Sequence, residues 1–146
     1  MASSNSTLSW GAFAVRVVLG GIFIYAAYVK LKDPWELFAL AISQYQLLPL
    51  KMVEIVARVL PWVELAVGVL LVTGRWLRLS ATVCSALLLT FFLLTVRAAW
   101  KGMAISCGCF GGTELISWKT LLRDGSMLVG SLALTTYAFL TKRKAL

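Results

Sequence analysis

The chain of 146 residues has no histidine, only three cysteines and few charged side chains. Charged residues make up 14% of the chain, whereas soluble domains average about 25%. Hydrophobic residues make up 60%, against a usual value of about 45–50%. These departures exclude an ordinary soluble domain and indicate an integral membrane protein. Without histidine, and with only two cysteines close together, one subunit cannot form a closed four-ligand zinc site, so no metal centre is expected.

The N-terminal residues also lack positive charge. No lysine or arginine occurs between Met1 and Ser9, so the basic start of a cleavable signal peptide is missing. We expect the first apolar segment to stay in the protein as a membrane anchor, and the length predicts a single domain over residues 1–146. The net charge of +8 is spread over the ends of apolar segments, where basic side chains contact lipid headgroups. It therefore does not indicate nucleic-acid binding.

Four apolar stretches approach the roughly 20 residues that a membrane-spanning helix needs. They run over residues 10–29, 52–73, 76–100 and 118–140. Residues 30–50 are too polar to span, but Asp33-Pro34 is a good helix start. An amphipathic stripe then predicts a short helix at the membrane interface, with Trp35, Leu37, Phe38, Ala41, Ile42 and Tyr45 as its apolar positions. The predicted fold class is all-α: a four-transmembrane-helix bundle with a short interfacial helix between spans 1 and 2.

Two observations bear on the orientation of this bundle in the membrane. Lysines and arginines are balanced between the two sides, but the run Lys142–Lys144 favours a cytoplasmic location for both termini. A disulfide in the loop before the fourth span would favour an extracytoplasmic loop. We predict a protein of the bacterial inner membrane with this arrangement.

Two ionisable residues lie inside predicted spans. Arg16 is in the first span and Glu64 in the second, at similar depth. A charge at mid-membrane costs about 2.5–3.5 kcal/mol or more and usually finds a partner, so the two are predicted to be close. They form either a lock between spans 1 and 2 or a polar site for a quinone headgroup or a proton route.

Small residues and one charged pair give further expectations for the first two spans. Gly20, Gly21 and Gly68 are predicted to allow close helix approach. Glu54 and Arg58 are spaced i, i+4 and are predicted to pair along one helix face.

The two neighbouring cysteines lie in the run Cys107-Gly-Cys-Phe-Gly-Gly112. Glycines permit the bent backbone that an i, i+2 disulfide requires, and a strained, exposed disulfide is easily reduced. Three interpretations remain open: a redox pair that exchanges electrons with a protein partner, a soft-metal site, or a static clasp in the loop. Cys84 stands alone in the third span and is expected to be a buried apolar residue.

Several runs resemble the MauE branch of the DoxX-like membrane proteins. They are the cysteine run, residues 117–124 (Ser-Trp-Lys-Thr-Leu-Leu-Arg-Asp), residues 20–34 at the exit of the first span, residues 45–49 and residues 60–68. The resemblance implies a four-span bundle that supports disulfide formation or maturation of periplasmic methylamine dehydrogenase beside a thioredoxin-like partner. The plan is also similar to that of the vitamin K epoxide reductase class, but the chain lacks that class's CxxC and second loop cysteine pair.

These observations together predict a membrane thiol–disulfide redox protein. Cys107 and Cys109 are the expected catalytic residues, and Arg16 and Glu64 the expected residues for the cofactor, a membrane quinone. A thioredoxin-like or maturing extracytoplasmic protein and the lipid bilayer are the expected partners. The enzyme class would be a quinone-linked thiol–disulfide oxidoreductase. The alternative is a non-catalytic membrane anchor or assembly subunit of a redox complex; transport has no support beyond the intramembrane charges.

Overall fold

The computed structural model describes residues 2–102 and 116–144, with side chains described for residues 9–102 and 116–140. Cys107 and Cys109 lie outside the described residues. The described chain is all-helical, as predicted. Its five helices are α1 (Ala2–Lys32), α2 (Trp35–Ser43), α3 (Leu50–Thr73), α4 (Leu77–Trp100) and α5 (Trp118–Lys144).

Three of the described helices are long and apolar enough to cross a membrane. These segments are Ser9–Lys32, Leu50–Thr73 and Leu77–Trp100, and they match the first three predicted spans. The fourth predicted span, residues 118–140, falls within α5, which has 27 residues but is not among the three. Charged residues in its first turns and later hydroxyl side chains lower its apolar character.

The packing of α1 against α3 depends on two glycines. A Cβ atom on Gly20 would lie 2.8 Å from the carbonyl oxygen of Gly68, and one on Gly68 would lie 2.9 Å from that of Gly20. Only residues without side chains let the two backbones approach this closely. The prediction for Gly20 and Gly68 is confirmed, whereas Gly21 faces open space. This contact fixes the register of the antiparallel α1 and α3.

Helix α5 runs antiparallel to α4 along most of its length. Gly125 approaches the ring of Phe92, where an added Cβ would lie 3.5 Å from the ring. Further along, the hydroxyls of Ser85 and Thr135 are hydrogen-bonded at 3.0 Å. Leucine, valine, phenylalanine, alanine and cysteine side chains from α1, α3, α4 and α5 form one apolar core, consisting of Leu19, Phe23, Val67, Leu71, Ala81, Cys84, Leu88, Leu128 and Leu134.

Helix α2 lies over α3 with the predicted apolar stripe largely turned toward the protein. Phe38, Ala41 and Tyr45 are buried. At the start of the helix, the guanidinium of Arg58 lies 4.4 Å from the centre of the Trp35 ring, a cation–π contact. Arg58 also pairs with Glu54 at 2.9 Å, as the i, i+4 spacing predicted. These contacts hold α2 against the first half of α3.

The bundle has two ends, a turn end and a loop end. The turn end carries the tight connection between α3 and α4, where Gly74 terminates α3 with a left-handed backbone at φ 75°. The loop end carries the last turns of α1 and α4, helix α2 and the start of α5. Residues 103–115, with both neighbouring cysteines, connect α4 to α5 at the loop end.

Candidate functional site

A buried ion pair joins α1 to α3. The Nζ atom of Lys30 donates to both carboxylate oxygens of Glu64, each at 2.8 Å. The Lys30 side chain is fully buried and that of Glu64 is 6% exposed. Removing two charges from water is costly, and only close, hydrogen-bonded geometry offsets that cost. The bidentate arrangement provides this geometry.

Two phenylalanine rings complete the surroundings of the Lys30 ammonium. The Nζ atom lies 5.0 Å from the centre of the Phe38 ring on α2 and 5.6 Å from that of Phe91 on α4. Desolvated cation–π contacts of this kind stabilise a buried ammonium. Lys30 therefore contacts α2, α3 and α4 at once, and α2 covers it from the loop end.

Arg16 is not the partner of Glu64, which corrects the prediction that these two residues are close. The Arg16 guanidinium lies against Gly74 at the turn end, where an added Cβ would meet its Nη1 at 2.6 Å. The Gly20–Gly68 contact explains this position. It sets the register of the two antiparallel helices, so Arg16, four residues before Gly20, lies beside the end of α3. An ion pair that locks spans 1 and 2 together does exist, but its cation is Lys30 rather than Arg16.

Sequence reasoning missed Lys30 because the first span was predicted to end at residue 29. The helix continues to Lys32, so Lys30 belongs to the helix rather than to the lipid headgroup region. A signal was present in the spacing of Phe23, Ala27 and Lys30, which places all three on one helix face. All three residues are buried.

A small cavity lies beside the ion pair. Its volume is about 30 Å³, and both Glu64 and Asp124 line it together with apolar residues of α1, α4 and α5. Asp124 is 5% exposed and accepts a 3.1 Å hydrogen bond from Nε of Arg123. The cavity can hold a water molecule, which needs roughly 10–15 Å³ by this measure. It is far smaller than the roughly 300–1,000 Å³ of typical ligand pockets.

Larger apolar grooves flank α5 on its two sides. One groove of about 690 Å³ begins at Trp118 and continues past Phe92 to Val129. The other, of about 570 Å³, lies between α1 and α5 and has Arg123 among its lining residues. Both are open grooves on the outer surface of the bundle, and the first begins at the third residue after segment 103–115, which holds the neighbouring cysteines.

The loop end anchors both flanks of the cysteine-bearing segment. Tyr45 and Ala98 are buried together, and Ile116 packs against them. Nη1 of Arg97 donates to the carbonyl oxygen of Tyr45 at 3.3 Å. The last turn of α4 and Ile116, two residues before α5, are thus fixed to the connection between α2 and α3. This frame sets where the segment leaves and re-enters the bundle.

The remaining cysteine is separate from this loop. Cys84 lies in the apolar core and has no accessible surface, which agrees with its expected role as a small buried side chain. In the described ranges, no three His, Cys, Asp or Glu side chains are grouped so that they could hold a metal ion.

Comparison with known proteins gives consistent matches to one family. The profile of the family described as "Methylamine utilisation protein MauE" matches residues 8–137. MauE of Paracoccus denitrificans is 34% identical over 127 residues, which cover 85% of this chain and 68% of that protein. MauE of Methylorubrum extorquens is 30% identical over 123 residues, which cover 82% of this chain and 66% of that protein.

A third relative is a much longer protein. Protein TlpB of Flavobacterium psychrophilum is 34% identical over 116 residues, which cover 74% of this chain but 31% of TlpB. The chain thus spans about two thirds of its MauE relatives and less than a third of TlpB. No solved structure matches the chain. The family profile covers nearly all of the sequence, and on that evidence the chain belongs to the MauE family.

Proposed function

We propose that this protein is a membrane thiol–disulfide redox protein that supports disulfide formation or maturation of extracytoplasmic proteins. Its MauE relatives are named for methylamine utilisation, and the proposal includes a protein of the methylamine dehydrogenase type as the maturing partner. The observation that carries the proposal is the Cys107-Gly-Cys109 run in a chain of this family. The frame of Tyr45, Arg97 and Ile116 supports it, because it holds the described residues on both sides of this run in place.

The chemistry is a two-electron thiol–disulfide exchange. A thiolate of a thioredoxin-like or maturing partner attacks the Cys107–Cys109 disulfide and forms a mixed disulfide, releasing one cysteine as a thiolate. A second partner thiolate resolves this intermediate, which leaves the partner oxidised and Cys107 and Cys109 reduced. Cys107 and Cys109 would then give up two electrons and two protons and form their disulfide again, with a membrane quinone as the two-electron acceptor.

The quinone in this proposal binds in the groove that begins at Trp118, rather than between Arg16 and Glu64. Two arguments support this location. Arg16 and Glu64 lie at different levels of the bundle, and the cavity beside Glu64 has a volume of about 30 Å³, too small for a quinone ring. The α4–α5 groove of about 690 Å³ is apolar and begins at Trp118, nine residues after Cys109 in the sequence.

The proposal includes a four-span arrangement. Helix α5 serves as the fourth span and α2 lies at the outer interface of the inner membrane. Both termini then face the cytoplasm, and residues 103–115 face the extracytoplasmic side. A relation to the wider group of DoxX-like proteins is part of the same proposal, since a four-span plan is what that resemblance implies.

A single-turnover experiment tests the proposal. The protein is reduced, reconstituted into liposomes and mixed without oxygen with decylubiquinone, and free thiols are counted by alkylation. We expect two thiols to disappear for each quinol formed. The Cys107→Ser/Cys109→Ser variant should form no quinol, whereas Cys84→Ser, the matched control, should behave as the wild type.

The same experiment distinguishes the alternative function. Unchanged quinol formation in the double serine variant would remove the mechanism. A wild-type protein that co-purifies with a large redox complex but oxidises no thiols with quinone would instead be an anchor or assembly subunit.

A further inference from the structure

The charges of the chain are divided unequally between the two ends of the bundle. The stretches that build the turn end, residues 2–20, 70–85 and 130–144, contain no aspartate or glutamate. They contain six basic residues, which are Arg16, Arg75, Arg78, Lys142, Arg143 and Lys144. The other eight basic residues share the rest of the chain with all six carboxylates. The turn end is therefore purely cationic.

Arg16 contacts Gly74 at the turn end. Its guanidinium lies 5.0 Å from the centre of the Phe13 ring and rests against Gly74. Gly74 has no Cβ atom, and the left-handed backbone there favours glycine. Stacking fixes the plane of the guanidinium. The buried Nε atom of Arg16 has no hydrogen-bond partner.

Arg78 has a similar arrangement on α4. Its guanidinium lies 5.0 Å from the centre of the Phe139 ring on α5, and Nη2 donates to the Phe139 carbonyl oxygen at 3.4 Å. The Nε atom of Arg78 is also buried and without a partner. Within the part of the chain that the structure describes, these are the two buried side-chain polar atoms that lack a hydrogen bond. Both are guanidinium donors at the turn end.

An arginine gives a phosphate two parallel N–H bonds, and stacking on an aromatic ring holds it ready for this. We propose that Arg16 and Arg78 bind phosphates of anionic phospholipid headgroups at the turn end through their terminal guanidinium nitrogens, with Arg75 adding positive charge.

Lipid is the favoured source of the phosphate because the turn end has the features of a membrane interface. Trp10 and Trp76 are 72% and 74% exposed, as expected for indole rings at headgroup level. Trp76 directly follows Arg75 in the α3–α4 turn. Basic pockets between membrane helices on the cytoplasmic side bind anionic headgroups, so the proposal also agrees with cytoplasmic termini but does not depend on the cysteine chemistry.

Lipid retention measured by native mass spectrometry tests the proposal. The purified full chain is exposed in detergent to equal amounts of phosphatidylglycerol and phosphatidylcholine of the same acyl length. We expect the wild type to retain phosphatidylglycerol preferentially. Each of Arg16→Gln and Arg78→Gln should weaken that retention about fivefold, and the double variant should lose the preference. Arg16→Lys/Arg78→Lys should recover part of it, because charge remains but the planar fork is lost.

The control is Arg58→Gln, which removes an arginine that is exposed and stacked on Trp35 at the loop end. It should retain lipid as the wild type does. If a variant folds poorly, the melting temperature of the wild type with each lipid gives a second measurement, and phosphatidylglycerol should raise it more than phosphatidylcholine. Equal retention of both lipids by the wild type would overturn the proposal. So would an equal stabilisation by inorganic phosphate at matched ionic strength, which would indicate a site for free anions.

Discussion

Lys30 and Glu64 are 34 positions apart in the sequence, yet the ammonium of one lies 2.8 Å from both carboxylate oxygens of the other. This ion pair is buried inside a bundle whose core is mainly apolar. It connects α1 to α3 directly, and the rings of Phe38 and Phe91 bring α2 and α4 to the same ammonium. The position of α2 therefore depends on a charge in α1.

Removal of either charge should destabilise the protein strongly. Lys30→Met or Glu64→Leu alone leaves the other charge buried without its partner, which costs about 3–5 kcal/mol of unfolding free energy. The double variant Lys30→Met/Glu64→Leu should recover most of this loss, because an apolar pair of similar size avoids both desolvation costs. Denaturant unfolding in detergent micelles measures all three.

Glu54 and Arg58 provide the matched control for that cycle. Their side chains are 49% and 57% exposed, so Glu54→Gln should change the unfolding free energy by less than about 1 kcal/mol. If Glu64→Leu lowered the unfolding free energy no more than Glu54→Gln does, the role given to the buried pair would be contradicted.

The Gly20–Gly68 contact makes a prediction about helix spacing. Gly20→Ala and Gly68→Ala should each destabilise the bundle by about 1–3 kcal/mol, because the new methyl group overlaps the facing backbone and forces the helices apart. Gly21→Ala should be nearly neutral, since nothing lies within 4 Å of its Cβ position. Melting temperatures of the three variants, measured in the same detergent, check this order. Equal effects at Gly20 and Gly21 would show that the close approach has little influence on stability.

Much of this fold follows from the sequence by elementary rules. The lengths of the apolar stretches located α1, α3 and α4, and the pair Asp33-Pro34 marked the start of α2. The small residues Gly20 and Gly68 indicated close packing. These features are predictable because each depends on local composition or on the absence of a side chain.

The partner of Glu64 was not predictable by depth alone. Matching Arg16 to Glu64 assumed that a long side chain stays at the level of its own Cα atom. Lys30 instead extends along its helix to reach a carboxylate deeper in the bundle, and the register that permits this depends on where α1 and α3 cross. Asp124 was missed for a similar reason, since its burial depends on the packing of α5 against α4 and α1.

Cys84 should resist chemical labelling in the folded protein. Its side chain has no accessible surface, so in a Cys107→Ser/Cys109→Ser background a soluble maleimide should react with the native protein hardly at all. Complete reaction should appear after unfolding in detergent and urea. The rate of mass increase on intact protein measures the contrast. Rapid labelling of the native protein would indicate that the core around α4 opens readily.

The antiparallel packing of α5 on α4 predicts the sidedness of the C-terminus. Phe92 faces Gly125 near the loop end, and Arg78 contacts Phe139 near the turn end. The two helices therefore cover the same depth, and if α4 crosses the membrane, α5 ends on the side of the α3–α4 turn. Single cysteines placed at Arg75, Lys101 and Ala145 in a variant without native cysteines test this in intact cells. Lys101→Cys should react with an impermeant maleimide from outside, whereas Arg75→Cys and Ala145→Cys should react only after permeabilisation. Outside labelling at Ala145 together with protection at Arg75 would mean that α5 does not cross with α4.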